Sequence, residues 1–201
     1  MKCKWIAALL VSGSLMADTL IEAKGAYYYP TSSDFREIYS SSGMYGIEGS
    51  HQFWRRLYWW ASASVFVKEG YSIGLRDRTR IAFYPFGLGL KYLFPYRKVD
   101  FYLGGGGLLG YMHIHDHSAG IPKKTCRWGG GGIAKAGMIV NCTEHFFLDA
   151  FTDYSFLYVP AGHRSGLTTH TADLSGWSVG LGIGFRFGPD INCCNCCPTD
   201  N

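Results

Sequence analysis

Four cysteines near the end of the chain have the spacing most often seen at metal or redox sites. Cys193, Cys194, Cys196 and Cys197 contain two overlapping Cys-x-x-Cys pairs, and this spacing suits zinc binding or thiol chemistry. The start of the chain reads as a secretory signal, as described below, and in the oxidising compartment to which such a signal leads, cysteines pair as disulfides instead. We therefore expect disulfides within this group, to Cys142, or to neighbouring proteins, with zinc binding as the alternative.

Three histidines recur at every second position, namely His113, His115 and His117. In an extended strand they share one face, where imidazoles can bind a divalent metal. The sequence does not specify the ligand geometry, and a solvated loop explains the same residues. No metal and no other cofactor is therefore predicted.

Serine lies close to histidine at two places: Ser118 follows His117, and Ser165 is two residues from His163. A serine nucleophile needs a base within hydrogen-bond reach. These spacings match no catalytic motif, and serine is common in loops. The sequence therefore predicts a protein that is not an enzyme.

Charged side chains stand among large apolar ones in stretches of alternating polarity. In such stretches the charges lie on the face opposite the bulky apolar residues. We expect them to form an ion-pair network on that face, in which Arg186 pairs with an acid such as Glu22. The network residues are Glu22, Lys24, Glu48, Lys68, Lys91, Arg127, Lys135, Asp149, Asp153 and Arg186.

The clearest alternating stretch is Gly176–Phe187, near the end of the chain. Every odd position is large and apolar, from Trp177 to Phe187, and every even position is small except Arg186. Strict alternation predicts a β-strand with two unlike faces. Small residues on an inner face and an apolar outer stripe are typical of a narrow barrel in lipid.

Seven earlier segments repeat this pattern, and short and long connections alternate between them. Pro85 lies inside one segment and predicts a bulge or a weak point in the hydrogen-bond ladder. The eight predicted strands are 19–29, 43–53, 57–68, 80–94, 99–113, 126–140, 145–158 and 176–187. The two glycine tetrads, 104–107 and 129–132, are expected to lie opposite each other, with Gly104 facing Gly132 and Gly107 facing Gly129.

The composition agrees with a β-rich, turn-rich protein and not with a helical one. Aromatic residues make up 16% of the 201 residues and charged residues only 17%, below the usual quarter. Residues 1–17 read as a secretory signal peptide, with Lys2 and Lys4 before a short apolar core. Cleavage there lowers the formal charge from +4 to +2, because two lysines leave, so no nucleic-acid partner is predicted.

Two kinds of eight-stranded barrel fit this number of segments. A soluble lipocalin-like barrel has an apolar interior and a polar exterior, whereas this sequence puts its charges opposite the large apolar face. No run of 18 apolar residues occurs in the sequence, so membrane insertion would need a closed barrel. The membrane barrel is the favoured interpretation.

At this point the chain resembles the small bacterial outer-membrane β-barrel proteins, such as the transmembrane domain of outer-membrane protein A or outer-membrane protein W. Gly180–Phe187 resembles the terminal strand signal that the barrel-insertion machinery reads. The resemblance implies an all-β, eight-stranded antiparallel up-and-down transmembrane β-barrel in the cell outer membrane. It departs from the family in the residues that follow Phe187, where a chain of this kind usually ends.

The resemblance implies three parts: the signal peptide at 1–17, the barrel at 18–187, and a cysteine-rich periplasmic tail at 188–201. It implies contact with outer-membrane lipid and lipopolysaccharide, and the cysteines add disulfide-linked envelope proteins as candidate partners. The expected function is a structural or surface-contact role through four external loops, with the lumen closed by polar side chains. The alternatives are a narrow channel for small solutes or ions and a lipid A-modifying outer-membrane enzyme.

Overall fold

The wall of the molecule is a single antiparallel sheet, seen in a computed structural model that describes residues 17–33, 36–37, 41–71, 78–116, 124–161 and 170–188. The predicted signal peptide, apart from Ala17, and the cysteine-rich tail, apart from Gly188, lie outside these residues. No helix in the described part of the chain is long and apolar enough to cross a bilayer. The strands are β1 Thr19–Pro30, β2 Ser42–Trp54, β3 Leu57–Tyr71, β4 Arg78–Tyr96, β5 Val99–Asp116, β6 Lys124–Asn141, β7 Phe146–Ala161, β8 His170–Asp173 and β9 Gly176–Phe187.

The sheet closes on itself because β1 pairs with β9, with Thr19 opposite Phe187. Each strand is antiparallel to its neighbours, and β6 pairs with β7, which in turn pairs with both β8 and β9. β8 continues the register of β9 along β7, since Tyr158 faces Asp173 and Ser155 faces Gly176. The two short strands therefore form one wall strand, and the predicted eight-stranded antiparallel barrel is confirmed.

The barrel has two unlike ends. The connections β2–β3, β4–β5 and β6–β7 are short turns and form the turn end, where Thr19 and Phe187 also lie. The loop end is marked by the opposite strand ends, Pro30, Ser42, Tyr71, Arg78, Asp116, Lys124, Ala161 and His170. The predicted bounds are accurate to two residues at the turn end, but at the loop end β3, β5 and β7 run three residues further than predicted. The added residues mix polar and apolar types, Glu69-Gly70-Tyr71 on β3, Ile114-His115-Asp116 on β5 and Val159-Pro160-Ala161 on β7, and they do not continue the regular alternation of the strands.

The outer face of the barrel is apolar and exposed. Leu181 is 71% exposed, Tyr45 67% and Ile47 65%, although a soluble protein would bury such side chains. Their neighbours along the strands, such as Glu48 and Arg186, point inward and are buried. The polarity is therefore inverted relative to a soluble barrel, as the alternation predicts.

Two local features of the ladder correct or refine the sequence interpretation. Around Pro85, the β3–β4 register is unchanged from Ala63–Phe86 to Phe66–Phe83, but the residues between are unpaired. Proline has no N–H to donate, so Pro85 marks a gap in the ladder and not a bulge.

The expected pairing of the glycine tetrads is wrong by three residues. The β5–β6 register puts Gly107 opposite Gly132 and Gly104 opposite Lys135. Alternation fixes which face a residue occupies, but it does not fix the register between strands. The tetrads therefore overlap at one pair only.

Candidate functional site: the charged lumen

The inward side chains of β1 show how the interior of the barrel is layered. From the turn end to the loop end they are Asp18, just before the strand, and then Leu20, Glu22, Lys24, Ala26 and Tyr28. Every second residue of a strand faces inward, so these side chains lie at successive heights in the barrel. An acid comes first, then an apolar residue, then two charged residues, and then two apolar residues. The same four levels recur around the barrel.

The central level is a group of ion pairs organised around Glu48. Its Oε2 lies 2.6 Å from Lys135 Nζ and 3.1 Å from Lys24 Nζ, and its Oε1 lies 3.1 Å from Lys91 Nζ. Glu48 is 1% exposed. One carboxylate on β2 thus joins three lysines from β1, β4 and β6.

Three further carboxylates surround these lysines. Lys24 Nζ lies 3.3 Å from Glu22 Oε1 and 3.3 Å from Asp149 Oδ2. Lys135 Nζ lies 3.2 Å from Asp153 Oδ2. The central level therefore cross-links five strands through side chains that water barely reaches.

Aromatic rings complete the surroundings of the lysines. Lys135 Nζ lies 4.5 Å from the ring centroid of Trp60, Lys24 Nζ 4.5 Å from that of Phe151, and Lys91 Nζ 5.1 Å from that of Tyr102. An ammonium group over a ring face is attracted by the ring quadrupole. Each cation is thus held between carboxylates and a ring.

The central level carries more acids than bases. It has four carboxylates, Glu22, Glu48, Asp149 and Asp153, and three lysines. Both oxygens of Glu22 are buried and accept no hydrogen bond from the described residues. Glu22 is therefore held less closely than Glu48: its Oε1 lies 3.3 Å from Lys24 Nζ and 3.8 Å from Lys91 Nζ, whereas Glu48 is the centre of the group.

A second ionic group lies at the turn end around Arg186. Its Nη2 donates a hydrogen bond to Asp100 Oδ2 at 3.0 Å, and its Nε lies 3.4 Å from Asp18 Oδ2. Tyr58 donates its hydroxyl hydrogen to Asp18 Oδ2 at 2.7 Å, and Asn141 Nδ2 donates to Asp100 Oδ2 at 3.0 Å. The expected pairing of Arg186 with Glu22 is wrong, because Arg186 lies opposite Leu20 in the β1–β9 ladder.

Apolar clusters fill the levels between and above these ionic groups. One cluster, between the two ionic groups, includes Tyr58, Tyr102 and Phe147; the other, toward the loop end, includes Tyr28, Phe66 and Leu157. A cavity of about 50 Å³ remains between the loop-end cluster and the central level, which is room for a few water molecules. A pore through the barrel would have to cross two levels packed with buried apolar side chains.

The structure brings together seven of the ten residues expected in the network, places Arg186 in the second ionic group, and leaves two residues outside both groups. Lys68 lies opposite Ile81, and Arg127 lies opposite Met112. Both are at the level of the loop-end apolar cluster, and Arg127 is exposed. Neither forms an ion pair with the described residues. The alternation gives the face of each residue but not its height in the barrel.

Two members of the ionic groups are not in the predicted network, namely Asp18 and Asp100. Asp18 precedes the first predicted strand, and Asp100 is the second residue of β5, whose glycines obscure the alternation. Counting every second residue back from Glu22 and from Tyr102 would have placed both acids on the inner face. Both are nearly fully buried.

The cysteine and histidine candidates are only partly described. Cys142 is exposed in the β6–β7 turn and forms no disulfide with a described residue, while Cys193, Cys194, Cys196 and Cys197 lie outside the described residues. His113 is half-buried opposite Cys126, His115 continues β5, and His117 lies outside the described residues. Within the described ranges, no group of three or more acidic, cysteine or histidine side chains is arranged to hold a metal.

Comparison with known proteins rests on structure alone. No protein-family model matches the chain, and no curated protein sequence matches it. Among solved structures, Neisserial surface protein A is similar over 84% of this chain and 97% of that protein, with 17% identity and a TM-score of 0.60. The outer membrane protein OprG from Pseudomonas aeruginosa is similar over 88% and 98%, with 16% identity and a TM-score of 0.63.

A third similar structure is that of Ail, the attachment invasion locus protein of Yersinia pestis, in complex with the heparin analogue sucrose octasulfate. The similarity covers 86% of this chain and 100% of Ail, with 16% identity and a TM-score of 0.55. Sequence identities this low establish a common fold. The predicted resemblance to small outer-membrane β-barrel proteins is confirmed at the level of the fold, and the apolar outer surface of this chain fits the membrane in which those proteins lie.

Proposed function

We propose that this protein is a non-enzymatic barrel of the outer membrane, closed in its lumen, that acts as a structural or surface-contact component. The observation that carries the proposal is the filled interior. Two ionic groups and two apolar clusters occupy successive levels, and an eight-stranded barrel encloses only enough space for its own side chains.

The buried charges support a structural role for the lumen. Lys24, Lys91 and Lys135 each lie close to carboxylates and to an aromatic ring. A cation-selective or anion-selective pore exposes its charges to water, whereas these ammonium groups are enclosed. The network is thus suited to hold strands together across the lumen and not to conduct ions.

Surface contact would come from the loop end. The strand ends that the connections 31–41, 72–77, 117–123 and 162–169 join all lie there, and in the proposed orientation this end faces the outside of the cell. Their proposed partners are outer-membrane lipid, lipopolysaccharide or a host or neighbouring surface. Ail binds a polysulfated sugar analogue in its crystal structure, and a polyanion is a reasonable first ligand to test here. Disulfide-linked envelope proteins are the proposed partners of the cysteines at the opposite end.

Planar-bilayer conductance tests the closed lumen. We expect the purified, folded barrel to show no steady conductance across a range of voltages, because each level of the interior is filled. A folded sample that conducts steadily would overturn the closed lumen and favour a narrow channel. Comparison of lipid A mass profiles with and without the protein tests the enzyme alternative, and we expect identical profiles.

A further inference from the structure

Two short turns at the turn end share one sequence pattern. The β2–β3 connection reads Trp54-Arg55-Arg56, and the β4–β5 connection reads Tyr96-Arg97-Lys98. Each has an aromatic residue, then an arginine, then a second cation. The turns are two strands apart in the wall, which is roughly 10 Å at the usual spacing between strands.

The arginine in each turn has a backbone conformation that does not favour arginine. Arg55 has a φ of 44° and Arg97 a φ of 57°, and no other non-glycine residue in the described ranges has a positive φ. Glycine, asparagine and aspartate take this left-handed conformation more easily and usually occupy such turn positions. The backbone of the turn therefore does not explain arginine at both positions, and its side chain is the better reason.

Hydrogen bonds hold the two turns in the same way. Leu93 N donates to Arg56 O at 2.9 Å, and Asn141 N donates to Lys98 O at 2.9 Å. In the first turn, Gln52 Nε2 also donates to Arg55 O. Because the backbone is fixed, the four cationic side chains project from a rigid edge.

Exposed aromatic rings show where this edge lies relative to a membrane. Trp54 is 64% exposed and Tyr96 63%. Rings of this kind gather at the interface between lipid and water. The guanidinium carbon of Arg97 lies 5.6 Å from the ring centroid of Tyr96, which puts this cation beside the ring, at the level of lipid headgroups.

The four cations are available to an external ligand. Arg55, Arg56, Arg97 and Lys98 are all exposed, and none forms an ion pair with the described residues. The third turn differs, since residues 142–145 contain Glu144 and neither lysine nor arginine. The positive charge at the turn end is therefore concentrated on one side of the barrel.

We propose that these two turns form a binding site for the headgroups of anionic phospholipids in the membrane leaflet at the turn end. The site deepens the proposed function, on which it rests, and in that orientation the leaflet is the periplasmic one. Guanidinium groups bind phosphate oxygens in pairs, and cations at an anionic lipid surface strengthen attachment. Turns of two residues keep the cations within one side-chain length of the rings, too close to the membrane to reach the cell wall.

Quenching of tryptophan fluorescence by brominated lipid tests the site, since Trp54 lies beside it. The folded protein is placed in phosphatidylcholine vesicles that contain brominated phosphatidylglycerol or brominated phosphatidylcholine. The quenching of Trp54 is obtained by subtracting the quenching measured for the variant Trp54→Phe from that of the parent protein. We expect the association constant of phosphatidylglycerol next to Trp54 to be at least roughly fivefold higher than that of phosphatidylcholine, since one cation at an anionic surface contributes about that factor.

The variant Arg55→Gln/Arg56→Gln should reduce this preference at Trp54 to nearly none. Arg80→Gln/Arg127→Gln is the matched control, because it removes two exposed cations from strand regions near the loop end. Equal association of the two lipids with the parent protein, a preference that survives Arg55→Gln/Arg56→Gln, or an equal loss in the control would each overturn the proposal.

Two further observations separate this proposal from others. A protein that folds and inserts but shows no lipid preference refutes the headgroup site and leaves the barrel function intact. Co-sedimentation of the parent with purified peptidoglycan, lost in Arg55→Gln/Arg56→Gln, would assign the turns to the cell wall and overturn the lipid site.

Discussion

At the scale of single residues, the lumen distinguishes carboxylates that look alike in the sequence. Glu48 contacts three lysines within 3.1 Å, whereas Glu22 accepts no hydrogen bond from the described residues and belongs to a level with one carboxylate too many. Burial of a charge is costly unless partners compensate for it. The two glutamates should therefore respond differently to neutralisation.

Replacement of Glu48 by glutamine should destabilise the barrel by about 3–5 kcal/mol, because three buried lysines lose their shared partner. Glu22→Gln should cost less than about 1 kcal/mol, since it removes the excess charge and breaks no hydrogen bond. The measurement is the free energy of unfolding in urea with the protein in lipid vesicles. Equal losses for the two variants would contradict the central position of Glu48.

At the scale of strands, close approach of backbones decides where glycine is required. A Cβ on Gly131 would lie 1.7 Å from the carbonyl oxygen of Phe156 on β7, whereas a Cβ on Gly130 has no atom within 4 Å. Neighbours in sequence thus have opposite surroundings, because one faces into the barrel and the other faces out. Only the inner glycine lets β6 and β7 approach in this register.

Gly131→Ala should therefore weaken β6–β7 pairing by about 1–3 kcal/mol or more, as overpacking does. Gly130→Ala is the matched control and should fold like the parent. The readout is the fraction of protein that refolds into detergent micelles, judged by gel mobility before boiling. If Gly130→Ala refolds as poorly as Gly131→Ala, the loss comes from the general effect of alanine on the strand and not from contact with Phe156.

The same scale shows what the sequence can and cannot predict. Period-two alternation identifies all eight wall strands and gives both ends of β9 correctly, but it misses β8, which extends the same wall strand to His170. It cannot give the register, so the glycine tetrads and the partner of Arg186 are misplaced. It also misses the last residues of strands at the loop end, such as Glu69-Gly70-Tyr71 and Ile114-His115-Asp116, since they do not continue the regular alternation. The ionic groups could be predicted as inward-facing charges, but which charges meet depends on the height set by the register.

At the scale of the whole molecule, the barrel is closed by pairing of its first and last strands and filled along its length. Within the described residues every neighbouring pair of wall strands is joined by an antiparallel ladder, and apart from the short β8, which pairs only with β7, no strand presents an unpaired edge. A structure of this kind resists detergent until it is heated. The apolar outer band also requires lipid or detergent for solubility.

The folded protein should therefore change its gel mobility on boiling. In sodium dodecyl sulfate, the unboiled barrel stays folded and compact, while the boiled chain binds more detergent and runs at a different position. Folding in detergent micelles, followed by electrophoresis with and without boiling, makes the comparison. Identical mobility, together with solubility of the unboiled form in the absence of detergent, would refute the transmembrane barrel.

The ion pairs across the lumen also set a condition on the order of assembly. Lys24 on β1 meets Asp149 on β7, and Glu48 on β2 meets Lys135 on β6, so these contacts join parts of the chain that are synthesised far apart. Loops of that length must close before the contacts can form. Until then, an incomplete sheet carries unpaired charges on one face and cannot lie with both faces in lipid. We therefore expect insertion and closure to occur as one coupled step, with the charged face kept in water until the last strand has joined the first.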